Sequence, residues 1–408
     1  MNILQLSPRF PYPLIDGGRI SIYNITKQLA LRGHSIDLIA FAEDDTGDDA
    51  IREMEQYCTV CPIRDNTKTS YKNFIRSVIR NEPMYITRHR SKKFTAAIED
   101  YLQTRTYDII YGDHSAMFPY LINLKRSNGF PVAVRMHNIE STIWHRYAES
   151  EKSHLKKIIA ARQATMLERF EANSAKIVDV NFTITDVDNE MLRRLSPHAN
   201  VVTVYPGVDI EYWCEQKYAK GSTIGILATT FSWIHNVNGV MWFLDDVMPQ
   251  ILKRIPGFKL QLLGMNPPPE LMNRANDHVK ILGFVKDIRP YAAQSSVYIV
   301  PLHVGSGIRI KILEAMAMGM PVVSTSVGAE GIGGTNGVHY LIADSAAEFA
   351  DAIAMIISDS SFGQRIGIAA RQFVESRFRW EQVGASIESE MERIITFQKS
   401  KRIFQDIK

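Results

Sequence analysis

Several things this chain lacks narrow what it can be. No apolar run approaches the roughly 18 residues that a membrane span needs, and the start, MNILQLSPRF, has neither the basic head nor the apolar core of a secretory signal. A cytoplasmic protein is expected. Cysteine is scarce: Cys58, Cys61 and Cys214 are an odd set with no disulfide framework. Cys58-Thr-Val-Cys61 has the spacing of half a zinc site, but no second Cys or His pair completes four ligands, so no metal site is expected. The chain also lacks internal repeats, low-complexity tracts, the Gly-x-Gly-x-x-Gly dinucleotide pattern, and an Asp-x-Asp triplet in a placement that would hold a metal.

What is present fits a soluble α/β protein. Hydrophobic residues at 45% and charged residues at 22% argue against disorder, and 408 residues suit two domains rather than one core. The net charge of +3 is unevenly spread. Between residues 64 and 93 the basic residues Arg64, Lys68, Lys72, Arg76, Arg80, Arg88, Arg90, Lys92 and Lys93 face only Asp65 and Glu82. Within that run Phe74, Ile75, Val78 and Ile79 fall at helical spacing, with Arg76 and Arg80 on another face. Two readings of this helix stay open: an interfacial helix on an anionic membrane, or a solvated helix packed on its own domain. Nucleic acid is not expected, because no exposed aromatics are interleaved with the charges.

Short apolar strands alternate with amphipathic helices. Strands are predicted at 2–6, 35–41, 107–111, 131–136, 178–184 and 201–204, with a helix at 20–32. The pattern then restarts with TIGILAT at 223–229, a helix at 237–254, and strands at 258–264, 279–282, 297–300 and 321–325. Strand, helix, strand in this order implies parallel sheets with right-handed crossovers, and two such units facing across a cleft.

Two loops carry candidate chemistry. In SPRFPYPLIDGGRIS, Gly17-Gly18 lets the backbone approach a ligand before a helix, and Arg19 beside them suits a phosphate or sugar. The sharper signal is VGSGIRIKILEAMAMGMPVV at 304–323. Gly305, Ser306 and Gly307 free the backbone to turn, and a helix predicted from Ile308 offers its unpaired amides. Arg309 and Lys311 place two cations at the positive end of that dipole, which a diphosphate would compensate. Glu314, a turn later, can accept two hydroxyl hydrogen bonds from a ribose diol.

The fold restart, GHSIDL after the first helix, YPGVD at 205–209 and GSGIRIKILEAMAMGMPVVST together resemble the retaining glycosyltransferases of glycosyltransferase family 4, which have the GT-B fold. The likeness runs over nearly the whole chain. It is closest to a branch found in bacterial polysaccharide gene clusters, in which a tryptophan and an asparagine follow the first C-terminal strand, as Trp233 and Asn236 do here.

The resemblance implies an N-terminal Rossmann-like acceptor domain at 1–210, rejoined by the last helix at 384–408, and a donor domain at 211–383. It implies transfer of a sugar, with retention and without a metal or other cofactor, from a nucleotide-diphosphate sugar to a glycan or lipid-linked acceptor, a UDP sugar ahead of a GDP sugar. Arg309 and Lys311 would stabilise the leaving diphosphate, while Glu314, Gly305, Ser306, Gly307, Ile308, Asn236, Gly17 and Gly18 would hold the donor. His137 and His114 are further catalytic candidates, and Arg19, Asp113 and Asn138 are acceptor candidates; all but Arg19 sit at strand ends. Ser306 stands where the family carries the first of two motif glutamates, and TTFSWIHNVNG lacks the arginine and lysine that many members use for the diphosphate. A sugar-nucleotide epimerase and a non-catalytic nucleotide-sugar-binding or assembly protein stay open as alternatives. A peripheral place at the inner membrane would run through residues 64–93.

Overall fold

The computed structural model describes the chain except residues 44–45, 68–69, 152, 216–218, 220, 232, 306 and 407–408, and leaves the side chains of 71, 72, 74, 150 and 402–406 undescribed. Of the basic run, Lys68 therefore lies outside the described residues, as do the side chains of Lys72 and Phe74. The chain divides into two units, Met1–Gly207 with Trp380–Lys408, and Val208–Arg379.

The N-terminal unit is built on seven parallel strands: β1 (Asn2–Ser7), β2 (Ser35–Phe41), β3 (Thr59–Ile63), β4 (Ile109–Asp113), β5 (Val132–Met136), β6 (Val180–Thr183) and β7 (Val201–Thr203). Their order is β3-β2-β1-β4-β5-β6-β7. Alternate residues of each strand point to opposite faces. Thus Ile3 joins Leu38, Tyr111 and Phe182 on one face, while Leu4 and Leu6 join Phe118, Leu121 and Val134 on the other. The last helix, Trp380–Asp406, buries Ile387, Met391 and Ile394 on the first of these faces. Its Glu388 accepts from Arg32 Nε at 2.6 Å and lies 2.8 Å from His34 Nε2, both just after the first helix (Gly17–Leu31). Gly207 is pressed against the Trp380 ring so closely that no side chain fits there.

The C-terminal unit repeats the plan with six strands: β8 (Ile224–Ala228), β9 (Lys259–Leu263), β10 (Val279–Gly283), β11 (Val297–Val300), β12 (Val322–Ser324) and β13 (Leu341–Ile342). Their order is β10-β9-β8-β11-β12-β13, again parallel. Phe243, Phe258, Leu260, Leu262 and Ile353 form its core.

Several boundaries differ from those predicted, among them the start of the first helix, at Gly17 instead of residue 20 because Asp16 caps it; three others bear on the site. β4 starts and ends two residues later, because the ladder runs on until His114 N–H donates to Arg135 O at 2.8 Å, so Asp113 closes the strand instead of following it. The helix predicted at 237–254 begins at Ile234 and passes through a π turn at Phe243–Val247, just ahead of Pro249, which has no amide to give the regular ladder. The helix of the 304–323 stretch begins at Ile310, not Ile308, with Arg309 as its N-cap residue. It ends as its Gly-Met-Pro sequence demands. Gly319 takes φ 73°, Met320 N–H returns to Ala315 O at 3.0 Å and Gly319 N–H to Met316 O at 2.9 Å, the Schellman pattern that Pro321 then terminates.

Candidate functional site

Each sheet has one place where its strand order reverses. It lies between β1 and β4 in the N-terminal unit and between β8 and β11 in the C-terminal unit. Loops at the carboxyl ends of strands flanking such a point are where doubly wound sheets hold ligands.

In the N-terminal unit those loops gather a dense polar cluster. Asp113 is fully buried, and its Oδ1 lies 2.6 Å from His137 Nε2. With the Nε2 proton given to the carboxylate, Nδ1 keeps a lone pair. That edge of the ring faces Gly18, where a Cβ would stand 3.9 Å from Nδ1. Burial lowers the His137 pKa, with Asp113 pulling the other way. Asp113, His137 and Gly18 are therefore brought together, and Asn138 follows at the same edge, half-buried.

His114 adopts φ 113° and ψ 148°, a region nearly reserved for glycine, where strain is stored at functional positions. The Tyr85 hydroxyl lies 2.6 Å from its Nδ1, its ring centre lies 5.1 Å from that of His137, and Glu140 Oε1 lies 3.6 Å from its Nε2. Burial holds the His114 pKa well below the ordinary value, assisted by His137 and then Arg9. Glu140 opens the helix Glu140–Ser150, whose first amides are held by the buried carboxylate of Glu171: Glu140 N–H at 2.8 Å and Ser141 N–H at 3.2 Å, with the Ser141 hydroxyl at 2.6 Å. Burial and then the charge of Glu171 push the Glu140 carboxyl up to about 8, against Arg88 and Arg9. An imidazole kept neutral by burial, able to accept a hydrogen bond, thus lies near a protonated carboxyl able to give a proton.

Arg19 and the two glycines are placed differently from a plain anion site. Asp16 caps the first helix by accepting Arg19 N–H at 3.0 Å, so one of the amides after Gly17-Gly18 is already held by a carboxylate. The Arg19 side chain is 2% exposed and lies 2.9 Å from Glu43 and 3.7 Å from Asp16, engaged within its own unit.

In the C-terminal unit the loop after β11 supplies Gly305, Gly307, Ile308 and Arg309. Ser306 lies outside the described residues. Gly305 leaves space that the Arg309 guanidinium occupies, and Arg309 Nη1 donates to Gly307 O at 2.6 Å, so the arginine folds over its own turn. Lys311 is exposed in the first turn of the helix Ile310–Ala317. Desolvation lowers its pKa while Glu314 raises it. Glu314 is half-buried, and burial pushes its carboxyl up to about 7, opposed by Lys311. Among the described residues no side chain or amide donates a hydrogen bond to that carboxylate. From the loop after β8, Asn236 Nδ2 donates to Thr230 O at 2.8 Å and fixes the turn that bears the exposed Trp233. Gly239, on the helix that follows, abuts the backbone of Pro301, which lets the loops after β8 and β11 come together.

Against this geometry, residues 15–212 match the model described as Glycosyltransferase Family 4, and residues 223–359 match the model described as Glycosyl transferases group 1. The two halves of the chain are glycosyltransferase domains. The fold of this glycosyltransferase is GT-B. Superposition on sucrose-phosphate synthase from Thermosynechococcus elongatus gives a TM-score of 0.74 at 16% identity, covering 97% of this chain and 100% of the other. Superposition on Anabaena Alr3699/HepE in complex with UDP gives 0.69 at 15% identity, covering 96% and 100%.

By sequence the glycosyltransferase is 23% identical over 399 residues to an uncharacterized 44.6 kDa protein in the cps region of Klebsiella pneumoniae, covering 95% of this chain and 98% of the relative. It is 28% identical over 167 residues to a phosphatidyl-myo-inositol mannosyltransferase of Mycobacterium leprae, covering 38% of this chain and 43% of that enzyme.

Sequence reasoning missed Glu140, Glu171, Tyr85 and Arg9 in the glycosyltransferase. Glu140 was within reach, two residues past Asn138. Arg9 lies in the same loop as Gly17 and Gly18, whereas Glu171 and Tyr85 come from elements whose only link to the site is tertiary.

Proposed function

We propose that the chain transfers a sugar from a nucleotide-diphosphate sugar to a glycan or lipid-linked acceptor, with retention of configuration. The observation that carries this reading is Glu314: a half-buried carboxylate, raised to about 7 by burial, that takes no hydrogen bond from the described residues and follows a turn bearing Arg309 and Lys311. A ribose diol supplies the two donors such a group lacks, and a diphosphate supplies the charge that the two cations and the helix amides favour. When the bond from the anomeric carbon to the phosphate oxygen lengthens, negative charge grows on the departing diphosphate. Donors fixed at that position lower the barrier without reorganising, and removing one such donor costs about 2.7–4 kcal/mol in comparable oxyanion sites. Arg309 and Lys311 are the charges assigned to this step. The acceptor hydroxyl passes its proton to the departing phosphate from the face that the leaving group vacates.

The N-terminal unit is assigned to the acceptor. His137, oriented by Asp113, is the group that accepts a hydrogen bond from a sugar hydroxyl, and Glu140, beside His114, is a donor at the same site. Solved proteins of the same fold hold UDP and UDP-glucose, and mannosyltransferases among the relatives are described as GDP-mannose-dependent; a UDP sugar is the first donor to test and a GDP sugar the second. The cps-region relative favours a polysaccharide acceptor.

The test is a thermal-shift panel of uridine, guanosine and adenosine diphosphates on the wild type, Arg309→Ala and Glu314→Ala, followed by nucleoside-diphosphate release from the matching sugar nucleotide with acceptor. Stabilisation by one nucleotide that both substitutions weaken supports the reading; equal shifts in all three proteins reject it.

A further inference from the structure

A polar cavity of about 670 Å³ opens at the carboxyl ends of β1, β2 and β3 in the N-terminal unit. The loops after these strands, and the residues after the short helix Met84–Thr87, bring to it three guanidinium groups, Arg9, Arg64 and Arg88, and two carboxylates, Glu43 and Asp65. Both acids are engaged. Glu43 lies 2.9 Å from Nη2 of buried Arg19, while Asp65 accepts from the Ser91 hydroxyl at 2.5 Å and from Asn66 N–H at 2.8 Å. The Ser91 bond above all holds the Asp65 pKa below its ordinary value, so it stays charged.

The arginines are less committed. Among the described residues the Arg9 side chain donates only to Asp16, from Nη1 at 3.3 Å, and the Arg64 side chain only to Thr46 O, from Nη2 at 3.1 Å. A guanidinium carries five N–H donors in a planar fork that matches a carboxylate or a phosphate, so both keep donors for a ligand. One acceptor stands among them. His89 is buried and its Nδ1 lies 2.9 Å from Tyr85 O, so Nδ1 carries the proton and Nε2 the lone pair. Burial, and then the charge of Arg88, lowers the His89 pKa to about 3, which keeps the ring neutral. With both acids engaged by donors, the cavity favours an anion over a metal ion.

The cavity also borders the acid–base cluster. The Arg88 guanidinium lies 5.0 Å from the centre of the Tyr85 ring, whose hydroxyl meets His114, and the charges of Arg9 and Arg88 both reach His114 and Glu140.

We infer that this cavity binds an oxyanion carried by the acceptor, a carboxylate or phosphate on the sugar that receives the transferred residue or on the one beside it. Arg9, Arg64 and Arg88 hold the oxyanion in charge-assisted hydrogen bonds, and His89 Nε2 accepts from a neighbouring hydroxyl. The inference rests on the assignment of the N-terminal unit to the acceptor, and it narrows that acceptor to an acidic glycan.

Calorimetric titration of the full chain with methyl β-D-glucuronide, glucose 1-phosphate, methyl β-D-glucoside and inorganic sulfate tests it. An acidic sugar is expected to bind about tenfold or more tightly than the glucoside and sulfate, the lower end for a hydrogen bond to a charged group. Tighter binding of the glucuronide assigns a uronate and tighter binding of the phosphate assigns a phosphorylated sugar; either supports the inference. Arg64→Gln/Arg88→Gln lowers the affinity for the acidic sugar about a hundredfold, tenfold for each charged donor. Arg64→Glu, a reversal at an exposed position, lowers it about tenfold or more and serves if the double variant does not fold. Equal binding of the glucoside, no binding of either acidic sugar, or an affinity unchanged in these variants overturns the inference. Sulfate bound as tightly as the sugars reduces the cavity to an adventitious ion site only and overturns it too, as does an affinity lost in Arg309→Ala/Lys311→Ala alone. Nucleoside-diphosphate stabilisation is measured in parallel: a failed titration in a chain that nucleotide still stabilises removes the cavity and leaves the transfer reading standing.

Discussion

The two units share a strand plan and differ in how they treat charge. At the switch point of the N-terminal unit nearly every polar group has a partner from its own unit: His137 with Asp113, His114 with Tyr85, Glu171 with the amides of Glu140 and Ser141, Arg19 with Glu43. At that of the C-terminal unit Glu314 takes no hydrogen bond from the described residues and Lys311 is exposed. Satisfied buried networks hold side chains in fixed geometry, whereas unsatisfied groups store binding capacity for a ligand. The N-terminal cluster is satisfied by folding; on the function proposed above, the C-terminal one is completed by a bound nucleotide.

That contrast can be broken most sharply at the diphosphate end. Arg309→Ala/Lys311→Ala is expected to lower kcat by about a thousandfold or more and to abolish nucleotide-induced thermal stabilisation, since each group contributes about 2.7–4 kcal/mol in such sites. A variant that keeps both properties would mean the cations serve folding alone.

The complementary change is His137→Ala, expected to lower kcat by about a hundredfold, a typical contribution of a positioned acid or base. Its nucleotide-induced shift should match that of the wild type. Loss of that shift would erase the division between a site set by folding and a site set by ligand.

The pH dependence of stability sharpens the N-terminal side. Glu140 and Glu171 are raised by burial to about 8 and about 7, so above their unfolded pKa the folded state holds more protons than the unfolded state, and stability falls as pH rises toward 8. His114 and His137 are lowered, so they remove stability in the other direction, below the ordinary histidine value. Between about pH 6.5 and 8 these carboxyls act in the same direction as Glu314, which is raised to about 7. Glu140→Gln should flatten the fall of Tm in that window, with a gain of about 2–4 °C at pH 8 for each kcal/mol relieved in a unit of this size. A parallel fall in both proteins would assign the titration elsewhere.

The smallest effect is expected at His114→Gly. Relief of about 1–3 kcal/mol of backbone strain offsets about 0.5–1.5 kcal/mol for the lost Tyr85 hydrogen bond, with the added flexibility of glycine in the unfolded chain opposing. Denaturant unfolding should change by no more than about 1 kcal/mol, while turnover falls; a large loss of stability would make the strained histidine a packing residue.

How much of this was legible depended on the distance over which each feature is written. The turn at Gly305 and Gly307, the cations at 309 and 311, the glutamate at 314 and the Gly-Met-Pro stop lie within one short stretch, and the dihedral freedom of glycine, the helix dipole and the helical period act over that range. The acid–base cluster was only partly legible. Asp113, His114 and His137 could be named because they end strands, but Tyr85 comes from 29 residues before His114 and Glu171 from 31 residues after Glu140.

The Tyr71–Arg80 helix marks the boundary most clearly. Its 3.6-residue period was plain in the sequence, and so was the basic character of the run that contains it. Which face would be buried was not, since a period fixes the angle between residues and leaves the choice of inner side to the neighbours. The packing that buries Asn73 and Ser77 made that choice, just as the elements around Glu140 and Glu314 decided how much water each carboxyl would lose. The sequence alone determined the parallel two-unit α/β plan, the location of a glycine-rich turn with two cations and the end of its helix, because local sterics and hydrophobic periodicity suffice for them. Tertiary structure alone decided which groups became partners, which carboxyls are raised and which apolar stripe faces outward, because desolvation and pairing depend on atoms that the chain brings together from far apart.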